Sequence, residues 1–137
     1  MPIKAYLDKE KYYAFSSTNA IQLKEDVDYT LEYILALLNS KLLNWYYANN
    51  FSNNSKLTVN ISKTYLEKLP IKQASYTQQQ SLSEKVNNML YLNKLFLTLK
   101  SNDLLDKINV LNDEIDKEVY ELYGLSSKEI ELIENRV

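Results

Sequence analysis

The sequence predicts an α+β fold: a small sheet-containing half, then an antiparallel hairpin of long helices and a short C-terminal helix. Three observations predict it. The 137 residues include one glycine and two prolines, too few turn-formers for a barrel or sandwich of many short strands. Apolar residues alternate with period two in three short stretches before residue 62, the spacing of half-buried strands. After residue 77 they recur every three or four positions, the spacing of helices.

In KYYAFSSTNAIQLK, Tyr13 and Phe15 alternate with other residues, as do Ile21 and Leu23, around the polar turn Ser16 to Asn19. This predicts two strands. Asp28 is the expected N-cap of a helix running to about Tyr47. That helix contains YILALLNSKLLNWYY, Tyr33 to Tyr47, with an amide (Asn39) and a hydroxyl (Ser40) in the middle of its apolar run. Side chains of this kind bond to backbone, so the pair is expected to pin an adjacent loop or strand. Trp45, Tyr46 and Tyr47 are expected to pack on the sheet. ANNFSNNSKL follows as a polar loop, and Leu57, Val59 and Ile61 predict a third strand. Pro70 closes the segment.

In the second half, Thr77 with Gln80, or Ser81 with Glu84, offers a capping box for a helix over about 77–100. A second helix, 103–123, carries Leu104, Ile108, Leu111, Ile115, Val119 and Leu122 in a near-heptad seam. The two are expected to pack through Val86, Met89, Phe96, Ile108, Leu111 and Ile115. Gly124 falls where a helix end needs a left-handed residue. Ser126 and Glu129 form a capping box for the last helix.

Composition removes most chemistries. The chain has no cysteine and no histidine, so disulfides, thiolate nucleophiles and histidine acid–base catalysis are out. One glycine cannot build a phosphate-cradling loop. No lysine follows an acid at a spacing of two, the pattern of a common nuclease centre. The acids Asp113, Glu114, Asp116, Glu118 and Glu121 flank the apolar seam and read as a solvated helix face. No catalytic or metal site is therefore expected on this chain. The absence of a long apolar run and of a signal-peptide core predicts a cytoplasmic protein with no membrane contact.

Charge is uneven. Residues 1–72 hold nine lysines against seven acids, whereas residues 73–137 hold seven basic residues against eleven acids. The positive half contains Asn49 to Lys56, with four asparagines, two serines and a lysine. Asparagine can bond bidentately to adenine, serine to several base edges and lysine to phosphate. Asparagine and serine are also favoured in loops for turn geometry alone.

YILALLNSKLLNWYY, then LTVNISKTYLEKLPI, then LNDEIDKEVYELYGLSSKEIELIE resemble, in order, pieces of the TaqI-like C-terminal specificity domain. That family closes combined restriction–methylation enzymes of the type IIG kind and related adenine methyltransferases. The resemblance implies a target-recognition half, 1–75, that reads double-stranded DNA, and a helical spacer, 76–137. It also implies N6-adenine methyltransferase and nuclease domains elsewhere, in cis or in trans. S-adenosylmethionine and Mg2+ would serve that parent enzyme, with no cofactor on this chain. The expected DNA-facing residues are Ser16, Asn19, Asn49, Asn53, Asn54, Ser55, Lys56 and Lys63. The alternative is a protein-interaction module that docks a partner subunit, or a second copy, through the acidic hairpin. The net charge of −2 and the single arginine weigh against strong DNA binding unaided.

Overall fold

A computed structural model describes residues 3–8, 21–51 and 63–136. Among them are six helices: α1 Leu31–Leu38, α2 Lys41–Phe51, α3 Lys63–Leu66, α4 Tyr76–Leu99, α5 Asn102–Leu122 and α6 Ser127–Arg136. The expected sheet-containing half is overturned, because the described residues hold no strand. Ile21 and Leu23 lie in exposed irregular chain. Tyr13, Phe15, Leu57, Val59 and Ile61 lie outside the described residues. Alternation over three or five residues is too short to specify a strand without a neighbour to pair with.

The first long helix is also corrected. It breaks at Asn39 and Ser40 into α1 and α2. Thr30, not Asp28, caps α1, its Oγ1 accepting from the Tyr33 amide at 3.1 Å. Ser40 starts α2: its Oγ accepts from the Leu43 amide at 3.2 Å and donates to the Leu37 carbonyl at 2.6 Å. The hydroxyl thus serves the end of one helix and the start of the next.

α1 is apolar almost all round, with Tyr33 and Leu35 to Leu38 buried. Such a helix belongs inside a core. It packs chiefly on α4, and also on α2 and α5. The core therefore draws Leu37 and Leu43 from the first half and Leu82, Val86, Ile115 and Val119 from the second. Each fully buried aliphatic side chain contributes about 1.5–3 kcal/mol.

α4 and α5 form the expected hairpin, each boundary within a residue of its predicted place. The Lys85 ammonium and Glu118 carboxylate meet across it at 2.8 Å. The seam is buried at Val86, Ile115 and Val119 but only half-buried at Met89, Phe96, Ile108 and Leu111. Ser75 and Gln78 make the capping box of α4, two residues before the first expected pair and six before the second. Gly124 has φ of 67°. Its amide bonds to the Glu121 carbonyl and that of Leu125 to the Tyr120 carbonyl, the double bond pattern of a left-handed helix end. The Ser126–Glu129 box is present in both directions.

Candidate nucleic-acid interface

Aromatic rings gather where α2 ends and α3 begins. Tyr46 and Tyr47 meet Phe51 edge-on, with centroids 5.8 and 5.7 Å apart. The Phe51 and Tyr65 rings stack at 5.1 Å and 12°. No sheet lies beneath Tyr46 and Tyr47 among the described residues. Instead they and Phe51 join the C-terminus of α2 to α3, an arrangement that bury-and-stack contacts between rings favour.

Of the eight expected DNA-facing residues, two are described. Asn49 is exposed in the last turns of α2, its Nδ2 donating to the Trp45 carbonyl at 2.7 Å. Asn50 does the same with Tyr46 at 2.8 Å. Lys63 opens α3 with its side chain 81% exposed and its ammonium 3.9 Å from Glu67. Contacts of that length and exposure hold a side chain weakly. Ser16, Asn19, Asn53, Asn54, Ser55 and Lys56 lie outside the described residues.

Behind this edge, three sets of buried polar groups fix the backbone. Asn39 exchanges two bonds with Ala5, at 2.8 and 2.9 Å. Asn44, a residue the sequence did not single out, accepts from the Ile3 amide at 2.7 Å and donates to Leu38 and Ser40 carbonyls. The expected pinning role is thus seen at Asn39, whereas the Ser40 hydroxyl bonds only to Leu37 and Leu43 at the junction of α1 and α2. Gln79 of α4 clamps the chain before α1, accepting from the Thr30 amide and donating to the Asp28 carbonyl. Tyr33 donates its hydroxyl to the Lys72 carbonyl, and Tyr123 donates to that of Pro70 while accepting from the Lys72 amide. Burial pushes both phenols up, further for Tyr33, because a phenolate would lose solvation there.

A fourth cluster ties α2 to α5 and α6. The Lys41 amide donates to the buried Asp116 carboxylate at 2.9 Å, and its ammonium meets Glu134 at 2.9 Å. Tyr120 donates to the other Glu134 oxygen at 2.8 Å. Burial holds the Asp116 carboxyl above its usual range, against the Lys41 bond. For Glu134, partial burial is outweighed by the Lys41 and Tyr120 bonds, and its carboxyl sits below the usual range. Among the described residues, no group of three acids is placed to hold a metal ion. No helix among them is long and apolar enough to cross a membrane.

A helical core with stacked rings where α2 ends and α3 begins defines a scaffold for a recognition surface. The chain belongs to the TaqI-like C-terminal specificity domain family, whose model matches residues 2–71. The match runs from the segment held by Asn39 and Asn44 to the one held by Tyr33 and Tyr123. The family points to DNA recognition in a restriction–modification system, and to a chain that is not itself catalytic. The signature over Leu111 to Glu134 lies beyond the matched residues. No curated protein and no solved structure matches the chain.

Proposed function

We propose that this chain is the target-recognition domain of a restriction–modification enzyme, reading DNA sequence for a methyltransferase and endonuclease located elsewhere, in cis or in trans. The family match over residues 2–71 carries this reading. Asn53, Asn54 and Ser55 read base edges, while Lys56 and Lys63 contact phosphate and set register. Ser16 and Asn19 supply further polar contacts, and Asn49 stands near the C-terminus of α2. S-adenosylmethionine and Mg2+ act in the parent enzyme, not here. The stacked Phe51 and Tyr65 support the reading, since a reading loop needs fixed ends.

The test exchanges residues 49–56 in the full-length enzyme for those of a relative with another target, then sequences the methylated sites. A changed target supports the assignment. An unchanged target makes the loop a plain connection and moves the interaction-module reading ahead. In the same enzyme, Asn53→Ala costs about 1–3 kcal/mol on the cognate site if Asn53 makes a bidentate base contact.

One observation favours the second reading for the helical half. Tyr91, Leu97, Leu99, Leu105 and Val110 are exposed on the outer part of the hairpin. A groove of about 460 Å³ there includes Asn88, Tyr91, Leu92, Val110, Leu111 and Glu114. Exposed apolar patches of this kind mark interaction sites. The expectation is self-association or docking of a partner subunit through the helices. Sedimentation of the chain, with Leu97→Gln and Val110→Gln as the disrupting pair, tests the self-associating form.

A further inference from the structure

In a chain with 18 acids, the sixteen residues from Lys68 to Ser83 contain none. The structure sorts this stretch cleanly. Leu69 and Leu82 point into the core, and Ile71 and Ala74 are half-buried against it. Lys68, Lys72, Gln73, Tyr76, Thr77 and Gln78 are exposed, Tyr76 at 77%. Neither Lys68 nor Lys72 has an ion-pair partner among the described residues. The ridge is not a slack connection, because the Tyr33 and Tyr123 hydroxyls hold its backbone on both sides of Ile71. It continues directly from α3, which Lys63 opens and in which Tyr65 stacks on Phe51 of α2.

Two exposed lysines on a held backbone, donor side chains and an acid-free run that begins after Glu67, itself 3.9 Å from Lys63, form a surface suited to a polyanion. Duplex DNA presents such charges at regular spacing, and phosphate contacts are made by lysine, glutamine, serine, threonine and tyrosine. We infer that the Lys68–Gln78 ridge is a second contact surface for the DNA backbone, adjoining the loop that reads bases. This rests on the DNA-recognition reading above. Lys68 and Lys72 neutralise phosphates, Gln73, Tyr76 and Gln78 donate to phosphate oxygens, and Tyr33 and Tyr123 act as positioning residues beneath them. The ridge sets register and adds affinity without choosing a base.

The experiment measures the binding of the full chain to a mixed-sequence DNA duplex over a range of salt concentrations. Lys68→Gln/Lys72→Gln is compared with Lys68→Arg/Lys72→Arg and with Lys94→Gln/Lys107→Gln on the hairpin. Each lost phosphate contact lowers the slope of log K against log salt by about 0.9. The expected result is a slope lower by about 2 in the ridge glutamine pair, with the arginine pair and the hairpin pair near wild type. All four substituted positions are exposed, and unchanged helical circular dichroism shows that folding is retained. An unchanged slope in the ridge glutamine pair, with wild-type binding intact, overturns the ridge and leaves the recognition reading standing. An equal loss in the hairpin pair overturns it as well, because the effect is then net charge alone. A wild-type chain that binds no duplex at low salt overturns the ridge as a contact surface of this chain, while the exchange of residues 49–56 in the full-length enzyme still decides the recognition reading.

Discussion

The backbone amide of Lys41 meets the carboxylate of Asp116 at 2.9 Å across 75 positions of sequence. Lys41 is the first residue of α2, so an acid on α5 caps a helix from outside it. The bond places negative charge at a helix N-terminus, where the unsatisfied amides and the helix dipole favour it. It also joins the family-matched segment to the hairpin that follows the match.

Removing that cap separates its two contributions. Asp116→Ala leaves a partly buried amide unsatisfied, and the expected loss is about 1–3 kcal/mol. Asp116→Asn keeps an acceptor and removes a charge that burial disfavours. Its expected cost is smaller, below about 1 kcal/mol. Urea midpoints of the two variants decide this, and equal losses would refute the cap.

The Asn39 side chain is expected to hold the N-terminal segment and little else. Asn39→Ala removes both bonds to Ala5, for a loss of about 1–3 kcal/mol. The sharper readout is local. Amide exchange at Ala5 should rise strongly, while exchange at Leu43 and Val119 follows only the global change.

Core substitutions should grade with burial. Leu37 is fully buried in α1, so Leu37→Ala is expected to cost about 2–5 kcal/mol. Leu111 is half-buried, and Leu111→Ala should fall below that range. Leu97, 71% exposed, should tolerate glutamine with a change within about 0.5 kcal/mol in the isolated chain. Thermal or urea unfolding orders the three variants.

Stability should fall in alkali. Burial, above all, raises the Tyr33, Tyr120 and Tyr123 phenols over their ordinary 10.0, and the Glu134 bond raises Lys41 over 10.5. A raised group binds its proton more tightly when folded. Its contribution is therefore complete below the ordinary value and is lost as pH climbs through the folded one. Melting temperature should drop above about pH 10, and Tyr33→Phe should flatten that fall. On the acid side the lowered Glu134 contributes above 4.5 and is lost as pH falls through its folded value. Asp116, raised above 3.8, works in the opposite direction and softens the acid loss.

Local signals in the sequence carried far where they concern a single helix. Gly124, the Ser126–Glu129 box and the heptad seam each state their geometry within a few residues, and the long-helix hairpin follows from them. Asn39 announced a pinned backbone for the same reason, since amides and hydroxyls in an apolar run must find partners, while Ser40 found its partners at the junction of α1 and α2. The NSK core and the helical signature also pointed to the family, whose match covers residues 2–71. Tertiary structure decided what lies between these elements. Whether Tyr13, Phe15 or Leu57, Val59 and Ile61 pair as strands depends on neighbours that periodicity does not name, and the described fold packs as helices around α1. Thr30 displaced Asp28 as a cap because Gln79 and Ser83 of α4 fix that residue from across the core. Asn44, Gln79, Asp116 and Glu134 were ordinary polar residues on helices until the chain closed. Their partners stand up to 93 positions away, and a buried polar group gains its role only when folding brings its partner within hydrogen-bond distance.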